Sequence, residues 1–185
     1  MGILIDESEY MNLGRGDHFI IIPNEIINSN EFQNLYRDNQ DITGTVKFPN
    51  LKSVDGFGGL YHTFEGCTGL TGSVEFPNLT KIDIHGLYSC FNGCTGLTGS
   101  VEFPNLTEMD IYGIAYAFTN CTGLTGTINF PSLITVGTNG LNNTFKGCTG
   151  ITEIHFRADA KSVIEAQGTY DSKFGATNAT IYFDL

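Results

Sequence analysis

Apolar and polar positions recur along this chain at an interval of 27 residues. One apolar column consists of Phe64, Phe91, Phe118 and Phe145, and a cysteine follows each phenylalanine by three residues. The surrounding sequence is nearly identical from repeat to repeat: GCTGLTGSVEFPNLT begins at both Gly66 and Gly93. A fixed period of this length indicates a repeat solenoid, in which each repeat buries its apolar edge only against its neighbours.

Each repeat contains a short stretch with the period of a β-strand. Val74 and Phe76 alternate with Ser73 and Glu75, and Pro77 then ends the alternation. This pattern predicts a strand with one buried face, and copies of the strand should pair in parallel about 4.8 Å apart. Farther along the repeat, apolar residues lie four apart, as in 60–64 and 87–91, which fits a helical turn. We therefore expect an α/β repeat solenoid with a parallel sheet on one face and short helical turns or loops on the other.

The repeats divide the chain into three parts of one structural domain. About five coils of about 27 residues fill 36–156, of which the first, YRDNQDITGTVKFPNL, is degenerate. Residues 1–35 are expected to form an N-terminal cap, with a strand in HFIIIP followed by a short helix. Residues 157–185 are expected to form a C-terminal cap, with a short helix near 160–166 and a last strand in ATIYFDL.

The repeated apolar columns predict the core. Its predicted members are Phe64, Cys67, Leu70, Phe91, Cys94, Leu97, Phe118, Cys121, Leu124, Phe145, Cys148 and Ile151. The cysteine column allows three interpretations: a disulfide ladder, a metal site or buried free thiols. We favour free thiols, because a small apolar side chain packs well at one inward position, whereas zinc needs converging ligands. The odd total of five cysteines also argues against a complete set of disulfides.

Composition excludes several classes of function. The chain has 9 Lys and Arg against 20 Asp and Glu, a formal net charge of -11. Such a chain repels phosphate backbones and anionic membranes, so we expect no nucleic acid partner. No apolar stretch of about 18 residues is present, which argues against membrane insertion. The first residues, MGILIDESEY, lack the basic start and apolar block of a secretion signal, so none is expected in this chain.

The repeated string F-x-x-C-T-G-L-T, followed by V-x-F-P-N-L-T-x-I, resembles the BspA-type leucine-rich repeat family. The resemblance extends from about Tyr36 to Phe156. The resemblance implies a leucine-rich-repeat-like stack and a role in adhesion. It also implies an extracellular, cell-surface or virion location, since members of the family are bacterial surface or phage-encoded proteins. It implies no catalytic residues. The repeats here have one more residue between Leu70 and Val74 than between Ile151 and Ile154, which predicts a bulge in the middle coils.

Outward positions of the main strand differ between repeats, while the inward ones hardly change. The candidate binding face comprises Lys47, Ser73, Glu75, Ser100, Glu102, Thr127, Asn129 and His155, with Tyr61 and Tyr88 nearby. Variation of this kind is how solenoids diversify a recognition surface. We expect a non-catalytic binding or adhesion module for a protein or glycan. The alternative is a structural spacer or tip domain of a larger surface or virion protein.

Two further motifs suggest chemistry of other kinds. Arg15, Gly16 and Asp17 form the tripeptide of an integrin-type loop motif, although a tripeptide is weak evidence and a turn before a strand is the plainer explanation. Asp83 and His85, in a repeated acidic column with Asp55 and Asp110, could be imagined in a polysaccharide-acting enzyme. We expect no enzyme, cofactor or metal, because catalysis needs a constellation that breaks the repeat.

Overall fold

The computed structural model describes residues 19–166 and 174–185. Over these ranges the chain winds into a parallel β-solenoid of about six turns. Each coil adds one strand to a long sheet, one strand to a short sheet and a run of tight turns. We call these faces the first sheet, the second sheet and the turn wall. The turn wall comprises residues 29–38, 57–66, 84–93, 111–120 and 138–147.

All strand pairs in the described ranges are parallel. The strands are β1 (Phe19–Ile21), β2 (Ile26–Ile27), β3 (Thr45–Lys47), β4 (Ser53–Val54), β5 (Gly72–Glu75), β6 (Lys81–Ile82), β7 (Leu97–Glu102), β8 (Glu108–Met109), β9 (Thr125–Phe130), β10 (Thr135–Val136), β11 (Gly150–Phe156) and β12 (Thr180–Phe183). The first sheet has the order β1-β3-β5-β7-β9-β11-β12, and the second has β2-β4-β6-β8-β10. The sequence predicted the five central strands of the first sheet, which β1 and β12 extend at its ends. The pairing of β5 with β7 shifts register between Gly72 and Val74, at the predicted bulge.

Helix is scarce in the part of the chain that the structure describes. One turn of 3-10 helix (Ala158–Ala160) runs into α1 (Lys161–Glu165), where a short helix was predicted. The helix predicted to follow HFIIIP is wrong, because β2 and the start of the turn wall occupy those residues. No helix in the described ranges has the length and apolar character to cross a membrane.

The turn wall replaces the helical turns expected at the four-residue spacings. Within one coil, Tyr88 N–H donates to the His85 carbonyl, three residues back, at 3.1 Å. The alternate amides instead bond to the next coil: Ser89 N–H donates to Ala115 O at 3.0 Å, and Phe91 N–H donates to Ala117 O at 2.8 Å. Half of the bonds therefore close local turns, and the other half join neighbouring coils. A helix would have used all of these groups within one coil.

Two columns of stacked aromatic rings run along the solenoid core. In the column of Phe64, Phe91, Phe118 and Phe145, successive ring centroids lie 5.3, 5.4 and 5.9 Å apart. A second column runs from Phe48 to Phe156 with planes within 23° of parallel. The predicted core members are all buried. Ile111, by contrast, is 38% exposed, because the chain has already turned into the turn wall there.

The cysteine column is a ladder of buried free thiols, as predicted. The Sγ of Cys94 donates to the carbonyl of Phe64 at 3.0 Å, and Cys121 does the same to Phe91 in the next coil. Burial raises the pKa of Cys67 to about 11 and that of Cys148 to about 12. Thiols that are buried and protonated in this way are chemically inert and act in packing.

Close approach between coils depends on one glycine in each corner. A methyl group at Gly96 would lie 2.4 Å from the carbonyl oxygen of Leu70 and 2.5 Å from that of Thr68. One coil later, a methyl group at Gly123 would lie 2.4 Å from the carbonyl oxygen of Leu97. Backbone atoms of the preceding coil fill the space that a side chain would need. These glycines are therefore required for space.

Candidate binding surfaces

The predicted binding face is a regular outward surface of the first sheet. The strand register places Lys47 beside Glu75, Glu75 beside Glu102, Glu102 beside Asn129 and Asn129 beside His155. Lys47, Glu75, Glu102 and Asn129 are exposed, whereas His155 is half-buried. A second outward column of Ser73, Ser100 and Thr127 is half-buried alongside them. The structure thus brings the eight predicted residues together on one face, which we call the strand face.

The centre of the strand face is acidic. Glu75 and Glu102 are direct neighbours on adjacent parallel strands. Like charges in this position are mildly destabilising. The hydroxyl of Ser100 donates to Glu102 Oε1 at 3.0 Å. Beside Glu75, at the N-terminal end of the face, Thr45, Lys47, Pro49 and Pro77 help to line a shallow depression of about 190 Å³.

At the other end of the strand face, His155 is held by two carboxylates. Its Nδ1 lies 2.7 Å from Asp184 Oδ1, its Nε2 lies 3.4 Å from Glu153 Oε2, and its ring stacks on Tyr182 at 4.6 Å. Burial opposes protonation of this ring. The hydrogen bonds to Asp184 and Glu153 outweigh that effect and raise the pKa of His155. Protonated His155 therefore helps to fasten β12, the last strand, to β11.

We expect the stability that His155 contributes to fall as the pH rises. A folded-state pKa above the unfolded value of about 6.5 means that the contribution is fully present below that value and disappears as the pH passes the folded pKa. The difference in free energy of unfolding between the wild type and His155→Gln should therefore be larger at about pH 6 than at about pH 8.5. Urea denaturation at both pH values measures it. An equal difference at both would contradict the assignment.

The acidic column at the end of the second sheet is a set of structural contacts. The Lys81 ammonium donates to Asp83 Oδ1 at 2.8 Å, and the backbone N–H of Gly56 donates to Asp83 Oδ2 at 2.8 Å. Burial raises the pKa of Asp83, but these donors outweigh it and hold the pKa below its ordinary value. Among the described residues, no hydrogen bond or ion pair joins the side chains of Asp83 and His85. Nor do the described residues contain a cluster of three His, Cys, Asp or Glu side chains that could hold a metal.

The second sheet carries an open groove of about 310 Å³ next to this column, lined by Lys81, Asp83, Glu108, Asp110 and neighbouring residues of β6, β8 and β10. Its walls repeat from coil to coil, and Lys81 and Asp83 are already paired there. The tripeptide Arg15, Gly16 and Asp17 lies outside the described residues.

The turn wall carries a cluster of aromatic side chains that the sequence did not predict as a site. Of its members, the sequence analysis named only Tyr61 and Tyr88, as residues near the strand face, and His85, as a conceivable catalytic group. We call this cluster the aromatic patch, and it consists of Phe57, Tyr61, His85, Tyr88, Tyr112 and Tyr116. Tyr61 stacks on Tyr88 with centroids 5.1 Å apart and planes 10° apart. His85 stacks on Tyr112 at 5.2 Å and 15°. Phe57 tilts over His85 at 4.9 Å and is 50% exposed.

Three members of the aromatic patch occupy an unfavourable backbone conformation. His85, Tyr112 and Tyr116 have φ angles of 55°, 53° and 58°, in the left-handed region. Bulky side chains are uncommon there, whereas glycine and asparagine tolerate it. Other coils use those residues at the equivalent positions: Gly58 and Asn139 match His85 and Tyr112, and Asn143 matches Tyr116.

His85 also has an unsatisfied polar atom. Its Nδ1 is buried and has no hydrogen-bond partner among the residues that the structure describes. Burial lowers the pKa of His85, so the ring favours its neutral form. An unpaired buried nitrogen is destabilising, and such a group calls for an explanation outside the packing of the fold. The amino-acid sequence does contain a signal for this site: aromatic residues stand in columns that hold Gly or Asn in other coils.

Comparisons of the chain with models of protein families, with curated proteins and with solved structures find no match.

Proposed function

We propose that the protein is a non-catalytic binding module that presents the strand face to a protein or glycan outside the producing cell. The observation that carries the proposal is the contrast between columns of the first sheet. Inward columns repeat the same apolar residues, whereas the exposed outer column reads Lys47, Glu75, Glu102, Asn129, His155. Stacking constrains the inward columns, so the outward ones are free to vary for recognition. The adhesive role and the location outside the cell are supported by the resemblance of the repeats to the BspA-type leucine-rich repeat family.

A binding role fits the chemistry of the strand face better than catalysis does. The acidic pair Glu75 and Glu102 lies on an open sheet surface. General acid–base or nucleophilic catalysis requires groups paired in an enclosed site. The carboxylate of Asp83, the other candidate, is already bound by Lys81 and Gly56. A flat face with a rigid spacing between rows is suited to contact with a macromolecule.

Charge reversal on the strand face tests the proposal. The wild type is first screened against an array of extracellular proteins and glycans, and Glu75→Lys with Glu102→Lys is then measured against the ligand found. We expect a loss of affinity of about tenfold or more, because reversing both charges removes the electrostatic complementarity between the strand face and its ligand. Thermal unfolding should change little, because one exposed pair of like charges replaces another on the surface of the sheet.

The matched control reverses two exposed acids away from the strand face, Asp41→Lys with Glu108→Lys, which gives the same change in net charge. It should bind like the wild type. Equal loss in both double variants would show only a long-range charge effect and would refute a contact on this face. If nothing on the array binds the wild type, the binding proposal fails and the spacer interpretation gains.

A further inference from the structure

The aromatic patch is not required by the solenoid. At each of its left-handed positions another coil carries glycine or asparagine and keeps the same backbone. Side chains that strain the backbone and leave a buried nitrogen unpaired oppose folding, so selection for stability alone would remove them. Strained residues concentrated in one place indicate a functional surface. In the patch, the bulky left-handed residues His85, Tyr112 and Tyr116 lie on two successive coils.

The surroundings of the aromatic patch are uncharged or acidic. The amide of Asn139 donates to the hydroxyl of Tyr112 at 3.0 Å. The ring of His62 lies 4.1 Å from Tyr61 and 5.6 Å from Tyr88, and it is paired with the Glu65 carboxylate. The six residues of the patch include no Lys or Arg, and two cations elsewhere in the described structure are paired: Lys81 with Asp83 at 2.8 Å and Arg37 with Glu65 at 3.0 Å. A phosphate, sulfate or carboxylate polymer would find no open cation here and would face a chain of net charge -11.

The shape of the patch favours a narrow ligand. Its rings form two columns over three coils, Phe57–His85–Tyr112 and Tyr61–Tyr88–Tyr116, with successive centroids 4.9 to 5.4 Å apart. A stable interface with a folded protein needs about 800 Å² on each side, well beyond a few rings. A single polymer chain that lies along the solenoid axis would meet one row of side chains per coil. The spacing between these rows is about the length of one pyranose ring.

We propose that the aromatic patch binds an uncharged glycan chain that lies along the solenoid axis. The apolar C–H groups of successive pyranose rings contact Phe57, His85 and Tyr112, which supply one ring per coil. The sugar hydroxyls bond to the hydroxyls of Tyr88 and Tyr116 and to the amide of Asn139. Aromatic rings provide large apolar contact, and neutral amides and hydroxyls can both donate and accept. This site is separate from the strand face and goes beyond the function proposed for it.

The test uses the full chain and four uncharged hexasaccharides, composed of glucose, N-acetylglucosamine, mannose or xylose. Isothermal titration calorimetry measures affinity. Because the chain has no tryptophan, tyrosine fluorescence reports directly on the rings. We expect the wild type to bind at least one hexasaccharide and to change its tyrosine emission. The triple variant His85→Asn, Tyr112→Asn, Tyr116→Asn should lose about tenfold or more in affinity.

The asparagine variants use residues that the solenoid itself carries at those positions, so folding should be preserved, and thermal unfolding verifies it. Glu75→Lys with Glu102→Lys is the control, and it should bind the hexasaccharide as the wild type does. The proposal is overturned if no hexasaccharide binds, if the triple variant binds equally well, or if the patch variants abolish binding of a protein while no sugar binds. A strand-face ligand found without any sugar binding would refute this site and leave the proposed function intact.

Discussion

Replacing Phe91 with alanine should lower the free energy of unfolding by about 3–5 kcal/mol. Phe91 is fully buried and stacks on Phe64 at 5.3 Å and on Phe118 at 5.4 Å, with the edge of Phe48 at 6.4 Å. Its removal therefore leaves a cavity bordered by rings of three coils that the hydrogen-bonded backbone cannot close. Urea denaturation followed by circular dichroism measures the change.

Phe57→Ala is the matched control, because this phenylalanine is 50% exposed and lies in the aromatic patch. Its effect on unfolding should be smaller than about 1 kcal/mol. If Phe91→Ala also costs less than about 1 kcal/mol, the stacked column does not carry the stability of the solenoid.

The second large effect is expected at Gly96, where alanine should destabilise the protein by about 1–3 kcal/mol. The added methyl group would meet the carbonyl oxygens of Leu70 and Thr68 at 2.4 and 2.5 Å. These are backbone atoms in hydrogen-bonded coils, so the neighbouring coils must separate to make room. Thermal unfolding of the variant gives the change.

Thr95→Ala, at the exposed neighbouring position, controls for the change of side chain in the same corner. It should alter stability by no more than about 0.5 kcal/mol. A Gly96→Ala protein as stable as the wild type would mean that the coils tolerate a wider spacing than the structure shows.

The repeat period made the first sheet and its core predictable. A column such as Phe64, Phe91 and Phe118 has only one simple physical explanation, since identical residues at a fixed interval must meet in a stack. Alternation around Val74 then identified which side of each strand is buried. Both inferences depend on periods that the sequence shows unambiguously, the 27-residue repeat and the two-residue alternation of a strand.

The turn wall could not be predicted in the same way. Apolar residues four apart, such as Leu87 and Phe91, fit a helical turn, but they fit equally a run of turns in which every fourth residue is left-handed. The helix uses local hydrogen bonds, whereas the observed wall needs carbonyls of the next coil, such as Ala115 O for Ser89 N–H. A pattern confined to one repeat does not contain that information.

Of the two candidate surfaces, the strand face followed from the sequence and the aromatic patch largely did not. Outward positions of a strand are fixed by the alternation, so Glu75 and Glu102 could be placed together. The patch joins two columns of the turn wall, one with His85 on Tyr112 and one with Tyr61 on Tyr88, and His85 meets Tyr88 between them at 5.2 Å. Their meeting depends on left-handed backbone angles that aromatic residues rarely adopt. The carboxylate pairing of His155 likewise depends on β12, which lies outside the repeat.

Hydrogen bonds between coils run along the solenoid axis. In the first sheet, Phe76 N–H donates to Glu102 O, and in the turn wall, Leu87 N–H donates to Gly113 O. Tension applied between the two ends would pull directly on these bonds, one layer at a time. The molecule would then lengthen coil by coil, with each release freeing about 27 residues of chain. A protein built this way could absorb mechanical load by partial unwinding and rewind when the load is removed.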